Sequence, residues 1–406
     1  MEGSTLIIAA VLLMAALNVA MILATVLAKA LRALRERRLA GRKKRLEPPL
    51  YDFLATGEVP RVLAQAKGED REVLTALVVE LLASLRGADH DRLVRLAGEL
   101  GFVKRDLNRL RSRGRWRRAR AAENLGFYGR PDVTPQLATL LSDEDETVRA
   151  VAARALSRIS TPEAAEALAR TLSDPSELTS LRAAENLERI GPLAVEPLTA
   201  LLGTDQRRAQ VLAARILGDL RVAEARPALR EAIRREWNTD LRAQATLALG
   251  KIGNPDDIRT ILAASEDSSW PVRAQAANAL EMIGDTSTIP TLEVLAVDRE
   301  WWVRLNASRA LVNMGPGGER TLARILEGPD RFARDRAAAT LEDRGVIRRV
   351  VGELGDPGER GEAARTMIRA MVRAGATRYL DRLAETSPDE GEREALRTLM
   401  VEAREP

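Results

Sequence analysis

Cysteine is absent from the 406-residue sequence, histidine occurs once (His90), and aromatic residues make up only 3%. Each absence excludes something. Without cysteine there are no disulfides, Fe–S clusters, thiolate zinc sites or cysteine nucleophiles. A single imidazole cannot build a multi-histidine metal site within one chain, and His90, in "GADHDRL" between two helical runs, reads as an exposed turn residue. Neither a catalytic residue nor a metal or cofactor site is expected. The thin aromatic supply, beside 30% charged residues, suits an extended array better than a conventional globular core.

Acidic charge is scarce in two places. The net charge is +4, yet Lys29–Arg45 carries nine basic residues against Glu36 alone, and Lys104–Arg120 carries nine against Asp106. The remainder is mildly acidic. Charge of either sign is missing between Glu2 and Lys29, where 26 residues run "GSTLIIAAVLLMAALNVAMILATVLA". Roughly 20 apolar residues span a bilayer as a helix, and nothing basic precedes the run as in a cleaved signal. The expectation is a retained transmembrane helix at 5–28 behind a short extracytoplasmic segment 1–4. A cleaved signal and a buried core helix are the weaker readings. The basic flank at 29–45 places the C-terminal side in the cytoplasm. Arg32, Arg35 and Arg38 continue at helical spacing, either along anionic lipid headgroups or as a plain stop-transfer flank. "EPP" at Glu47–Pro49 is expected to end that helix, so that 29–49 is a basic juxtamembrane helix with a proline linker.

The segment "RAAENL" stands at Arg120–Leu125 and again at Arg182–Leu187. Aligned on the final leucine, a period of about 31 emerges, with anchors Leu125, Leu156, Leu187, Leu217, Leu249, Leu280, Leu311 and Leu341. Four residues before every anchor stands alanine, from Ala121 to Ala337. At −8 come Val148, Leu241, Val272 and Val303, and at +3 Ile159, Ile190, Leu220, Ile252, Ile283 and Met314. These positions share one helical face, and the small residue at −4 lets a neighbouring helix approach. Glycine at +4 in six units marks a helix end. Proline at +10 (Pro135, Pro197, Pro227, Pro290) marks the next helix start, followed at +12 by Leu137, Leu168, Leu229, Ile261 or Leu292. The expected fold is all-α: about eight 31-residue helix pairs over 116–345, a helical N-terminal cap at 50–115 and a degenerate helical cap at 346–406.

With "VRAQAANALEMIGDTSTIPTLEVL" at Val272–Leu295 and "VRAVAARALSRI" at Val148–Ile159, the chain resembles HEAT-repeat proteins, specifically the short phycobilisome-lyase-like variety. The resemblance covers over half the chain and is specific for fold. It brings a bilin-lyase activity into view, which a membrane anchor fits poorly. HEAT-type deoxyhypusine hydroxylases hold a di-iron centre with several His-Glu pairs, whereas here the one histidine is followed by Asp91. Bacterial proteins that look like this, with an anchor followed by short HEAT-like units, serve membrane enzyme complexes by analogy.

Four constellations remain. Arginine at −7 (Arg118, Arg149, Arg242, Arg273, Arg304, Arg334) reads either as a ladder onto Asp145, Asp240, Asp267 and Asp298 in the turns, or as a phosphate-tracking row. The five tryptophans (Trp116, Trp237, Trp270, Trp301, Trp302) fall 9 to 12 residues before their anchors, as wedges between repeats or as an exposed ridge. The second helices are expected to line a groove, presenting at −2 Glu123, Arg154, Glu185, Arg215, Asn278 and Arg309, a mixed-charge row suited to a protein partner. Arg109, Arg111, Arg113, Arg115 and Arg117 form the fourth constellation, a solvated face or a docking surface for anionic lipid or an acidic partner. Nucleic acid is disfavoured there, because no continuous basic track or stacking aromatics accompany it. The leading expectation is a single-pass scaffold of the bacterial inner membrane, N-terminus out, binding a protein partner along the solenoid; a polyanion binder is the alternative.

Overall fold

All eight anchor leucines are completely buried, and the alanines four residues before them are at most 1% exposed. A stripe of this period on an α-helix leaves no alternative face for the neighbour. The computed structural model describes residues 2–234 and 238–404, with side chains from Met14 onward except at 15, 16, 19 and 28. Among the described residues there is no strand. The chain divides into two compact units, Met1–Ile159 and Ser160–Pro406.

The first unit opens with a single helix, Glu2–Thr56, followed by Gly68–Ser84, Ala88–Glu99, Phe102–Arg109, Arg115–Tyr128 and Glu146–Ile159, with short turns of helix between them. Contrary to expectation, Pro48 and Pro49 do not end the first helix but lie within it. Two prolines remove two amide donors. Against this stands the burial of Leu46, Leu50, Phe53 and Leu54, each at most 9% exposed, on one helical stripe. Four such side chains contribute roughly 1.5–3 kcal/mol apiece, which outweighs the helix-breaking cost. The supposed linker is therefore continuous with the first layer of the core, and no boundary falls at residue 49. The basic stretch before it is also less free than its composition implies. Arg42 pairs with Glu69 at 3.0 Å and Asp70 at 2.5 Å, Lys43 with Glu80 at 3.0 Å, and Arg45 with Asp70. Lys29, Arg32, Arg35, Arg37 and Arg38 stay exposed. Among the described residues no helix is long and apolar enough to cross a membrane. Many side chains of the expected span at 5–28 lie outside the described residues.

In the second unit the anchor-bearing helices Glu177–Ile190, Arg207–Leu220, Thr239–Ile252, Trp270–Ile283, Trp301–Asn313 and Arg331–Asp343 alternate with shorter ones such as Pro162–Thr171, Ile289–Ala296 and Pro316–Leu326. The +4 position after each of the eight anchor leucines has positive φ. Six are glycine; the other two, Ser160 (φ 54°) and Arg221 (φ 53°), are the only non-glycine residues described there with this conformation. Adjacent anchor helices also approach closely at +1. A Cβ on Gly250 would sit 2.4 Å from the Ala279 Cα, and Gly126 and Gly218 face Ala155 and Ala248 in the same way. Over residues 346–404 the chain is more regular than a degenerate cap. In Glu359–Arg373, Met367 and Met371 take the alanine and leucine positions, with Gly375 (φ 80°) at +4. Glu390–Glu402 repeats the register with Leu396 and Met400. Large side chains in both slots hid the period.

Candidate partner-binding surface

Three of the six arginines in the row form the ladder. Arg118, Arg242 and Arg273 each grip an aspartate 25 residues onward through Nε and Nη2: Asp143 at 2.8 Å twice, Asp267 at 2.9 and 3.0 Å, and Asp298 at 2.7 and 2.9 Å. The third nitrogen, Nη1, donates back to two carbonyls of the preceding turn, as Arg273 does to Asp267 and Ser268. Each aspartate also accepts the amide two residues later. A planar fork and a carboxylate satisfy one another at two points. Burial alone would raise the Asp298 carboxyl, but the Arg273 fork and the Glu300 amide hold it below the usual carboxylate range. These arginines are 7–8% exposed, so they are no phosphate track. Two expected acids are corrected. Asp145 instead caps the Glu146–Ile159 helix, accepting from Thr147 and Val148. Asp240 lies inside a first helical turn, and there the rung is neutral: Asn238 donates to Gln210, whose amide bonds the Leu202 and Thr204 carbonyls.

Trp270, Trp301 and Trp302 open their helices and are 40%, 42% and 54% exposed. Trp237 lies outside the described residues. Phe332, at the same place in the next unit, is 68% exposed and extends the row; its residue type sets it apart from the tryptophans, but its −9 register matches that of Trp302. The rings are held. Trp301 and Trp302 meet edge to face at 4.6 Å, Arg336 lies 4.8 Å over Trp301, and Arg304 lies 5.7 Å from Phe332. The aromatics therefore stand as a ridge on three successive units, with Trp301 partly wedged beneath the next one.

In the −2 row, Glu185 and Arg309 are exposed, whereas Glu123, Arg154, Arg215 and Asn278 are half-buried. Asn278 donates to Gln275 at 3.0 Å, within its own helix. Seven residues bring Trp302 and Arg309 onto one face, about 10 Å apart along the axis, whereas Trp270 and Trp301 are rotated from their −2 partners by roughly 80°. The row and the ridge thus meet at Trp302–Arg309. In the first unit Glu123 and Trp116 line one open cavity of about 580 Å³ with Glu72, Glu80, Arg120 and Asn124.

Segment 104–120 is partly spent internally. Arg109 meets Glu72 at 2.5 Å and Arg115 meets Asp145 at 3.2 Å, while Arg111, Arg113 and Arg117 are exposed. The Arg109 hydrogen bond holds Glu72 below its ordinary range. The lone acid of the segment, Asp106, is wholly buried and accepts from Asn124 at 3.0 Å and Tyr128 at 3.1 Å. Burial, then the Asp106 charge, pushes the Tyr128 hydroxyl far upward. His90 sits in the first turn of Ala88–Glu99, with Nδ1 3.5 Å from the Asp91 carboxylate.

A family model described as HEAT repeats matches residues 107–188, 195–281 and 258–342. No curated protein matches the chain. Among solved structures it is similar to an engineered protein at 20% identity, covering 84% of this chain and 98% of that one, with a TM-score of 0.32. It is similar to Kap121p at 13% identity and a TM-score of 0.46, covering 89% of this chain but 47% of the other, about half its length. For human deoxyhypusine hydroxylase in complex with glycerol the values are 20%, 0.26, 66% and 94%. Because the matched repeats amount to more than half of its residues, the chain belongs to the HEAT-repeat family.

Proposed function

We propose that this HEAT-repeat chain is a membrane-anchored cytoplasmic adaptor, not an enzyme, that binds a protein partner at the aromatic ridge and the adjoining −2 row. The observation that carries the reading is Trp270, Trp301, Trp302 and Phe332 standing exposed on three consecutive units. Large, rigid side chains of this type concentrate binding energy at protein interfaces. Anchorage in a bacterial inner membrane, N-terminus outside, rests on the 26 uncharged residues and the basic flank. In the same helix Met14, Leu17, Met21, Ile22, Leu23, Val26 and Leu27 are each about 60% exposed or more, a surface that water does not favour. Unit length supports the short, phycobilisome-lyase-like variety of HEAT repeat, and the anchor suits a role beside a membrane enzyme complex.

The test is a crosslinking capture in intact cells with Trp270→Ala and Trp302→Ala, alongside their melting temperatures. Each variant should lose roughly 2 kcal/mol of partner affinity if it is a hot spot, with little change in melting. Capture that survives in folded variants removes the ridge from the site. A second reading, docking onto anionic lipid through Arg35, Arg38, Arg111, Arg113 and Arg117, draws on their exposure; binding to anionic vesicles that weakens steeply with salt would favour it.

A further inference from the structure

The aspartate that receives each arginine fork stands 13 residues before the next anchor: Asp143, Asp267 and Asp298. For Arg304 that position, counted from Leu341, is Gly328, which has no side chain to offer. Arg304 is nonetheless built like its neighbours. It is 7% exposed, and its Nη1 donates to the Asp298 and Arg299 carbonyls at 2.7 and 2.9 Å. Its buried Nε has no hydrogen-bond partner, and among the described residues it pairs with no carboxylate. A buried cation left without its acid is costly, and buried polar groups without partners are rare. This one lies within the aromatic ridge, beside Phe332.

Resting on the adaptor reading above, we infer that Arg304 is the receptor for a carboxylate of the partner. An aspartate or glutamate in an exposed peptide segment replaces the acid that Gly328 lacks, and a flanking apolar side chain lies on Trp302 and Phe332. Nε and Nη2 are the two donors that hold the carboxylate in the intact rungs, and they are the two left over here. The geometry for bidentate recognition is thus preformed. Phe332 stands over the guanidinium and is 68% exposed, so its ring can rotate away as the acid enters. Arg336, over Trp301, adds a second cation beside the ridge, and two cations favour an acidic segment over a basic one.

Gly328→Asp supplies the acid from within. The backbone there is not left-handed, and a Cβ would meet nothing nearer than the Ile325 carbonyl oxygen at 3.1 Å. Arg304→Gln removes the charge but keeps the amide that bonds the carbonyls, as Gln210 does at the equivalent position. The probes are a fluorescein-labelled peptide of alternating aspartate and leucine and its asparagine counterpart, titrated against the full chain in detergent. The parent should prefer the aspartate peptide, and both variants should bind it at least about tenfold more weakly. Gly328→Asp should melt no lower than the parent, so that lost binding is not lost folding. If Gly328→Asp fails to fold, Arg304→Gln decides. Equal binding of the two peptides by the parent, or full binding by either variant, overturns the inference. Trp302→Ala separates the two readings: if it loses partner capture in cells while Gly328→Asp keeps it, the ridge stands and the carboxylate receptor falls. If neither loses capture, both fall.

Discussion

At the rung between the Trp270 and Trp301 helices, one aspartate joins two turns. Asp298 receives the Arg273 fork and the Glu300 amide together, so Asp298→Asn should cost roughly 2 kcal/mol. Its acid dependence has a definite sign. The folded carboxyl lies below its unfolded value, near 4. Its contribution is therefore complete above that value and is lost as pH falls through the depressed folded one. Thermal melts from about pH 6 to pH 2 should show a shallower acid decline for Asp298→Asn than for the parent. Parallel curves would mean that the fork does not hold the charge. A second residue-scale expectation concerns Arg221, in left-handed backbone at φ 53°. Arg221→Gly should stabilise by up to about 1 kcal/mol in urea titrations, the reverse of what glycine does inside a helix. The +4 glycines were legible in the sequence because one residue type owns that conformation. Ser160 and Arg221 were not, because neighbouring units impose the same φ on side chains that do not advertise it.

Within the helices, the legible part was the buried stripe. Leucine at the anchor and alanine at −4 repeat without exception, and hydrophobic periodicity needs no structure to be seen. What distance it left open was harder. Alanine at −4 looked like the contact point, yet Gly250 at +1 faces the Ala279 backbone most tightly. Three glycines among eight units are too few to stand out in a sequence with 27 of them. Gly250→Ala should therefore cost roughly 2 kcal/mol or more, because backbone must move. Ala276→Gly should cost only about 1 kcal/mol, the helix-propensity difference. Chemical denaturation of the two variants orders them; the opposite order would restore −4 as the close contact. The helix through Pro48 and Pro49 departs from local expectation for a related reason. Local proline rules are strong, but Leu46, Leu50 and Phe53 act through partners far along the chain. The ridge was partly legible, since tryptophan is rare enough to notice. The unfilled rung at Arg304 was not, because glycine at 328 means something only once the fork geometry is known.

For the whole molecule, the cysteine-free sequence makes topology measurable. Single cysteines at Ser4 and Ser173 can be offered an impermeant maleimide in intact cells. Ser173 is exposed, whereas Ser387, which would report on the C-terminal region, is 2% exposed and bonded to Glu392. Labelling is expected at Ser4 alone, with Ser173 reacting after permeabilisation. Reaction at Ser173 in intact cells would reverse the orientation. The first helix has a further consequence. Glu2–Thr56 is unbroken and roughly 80 Å long at 1.5 Å per residue, and its last turns are clamped by Leu46, Leu50 and Phe53. A rod of that kind has no slack. On the anchored reading proposed above, tilt or rotation imposed at its apolar end would travel along the rod as torque and arrive at the first layer of the repeat stack.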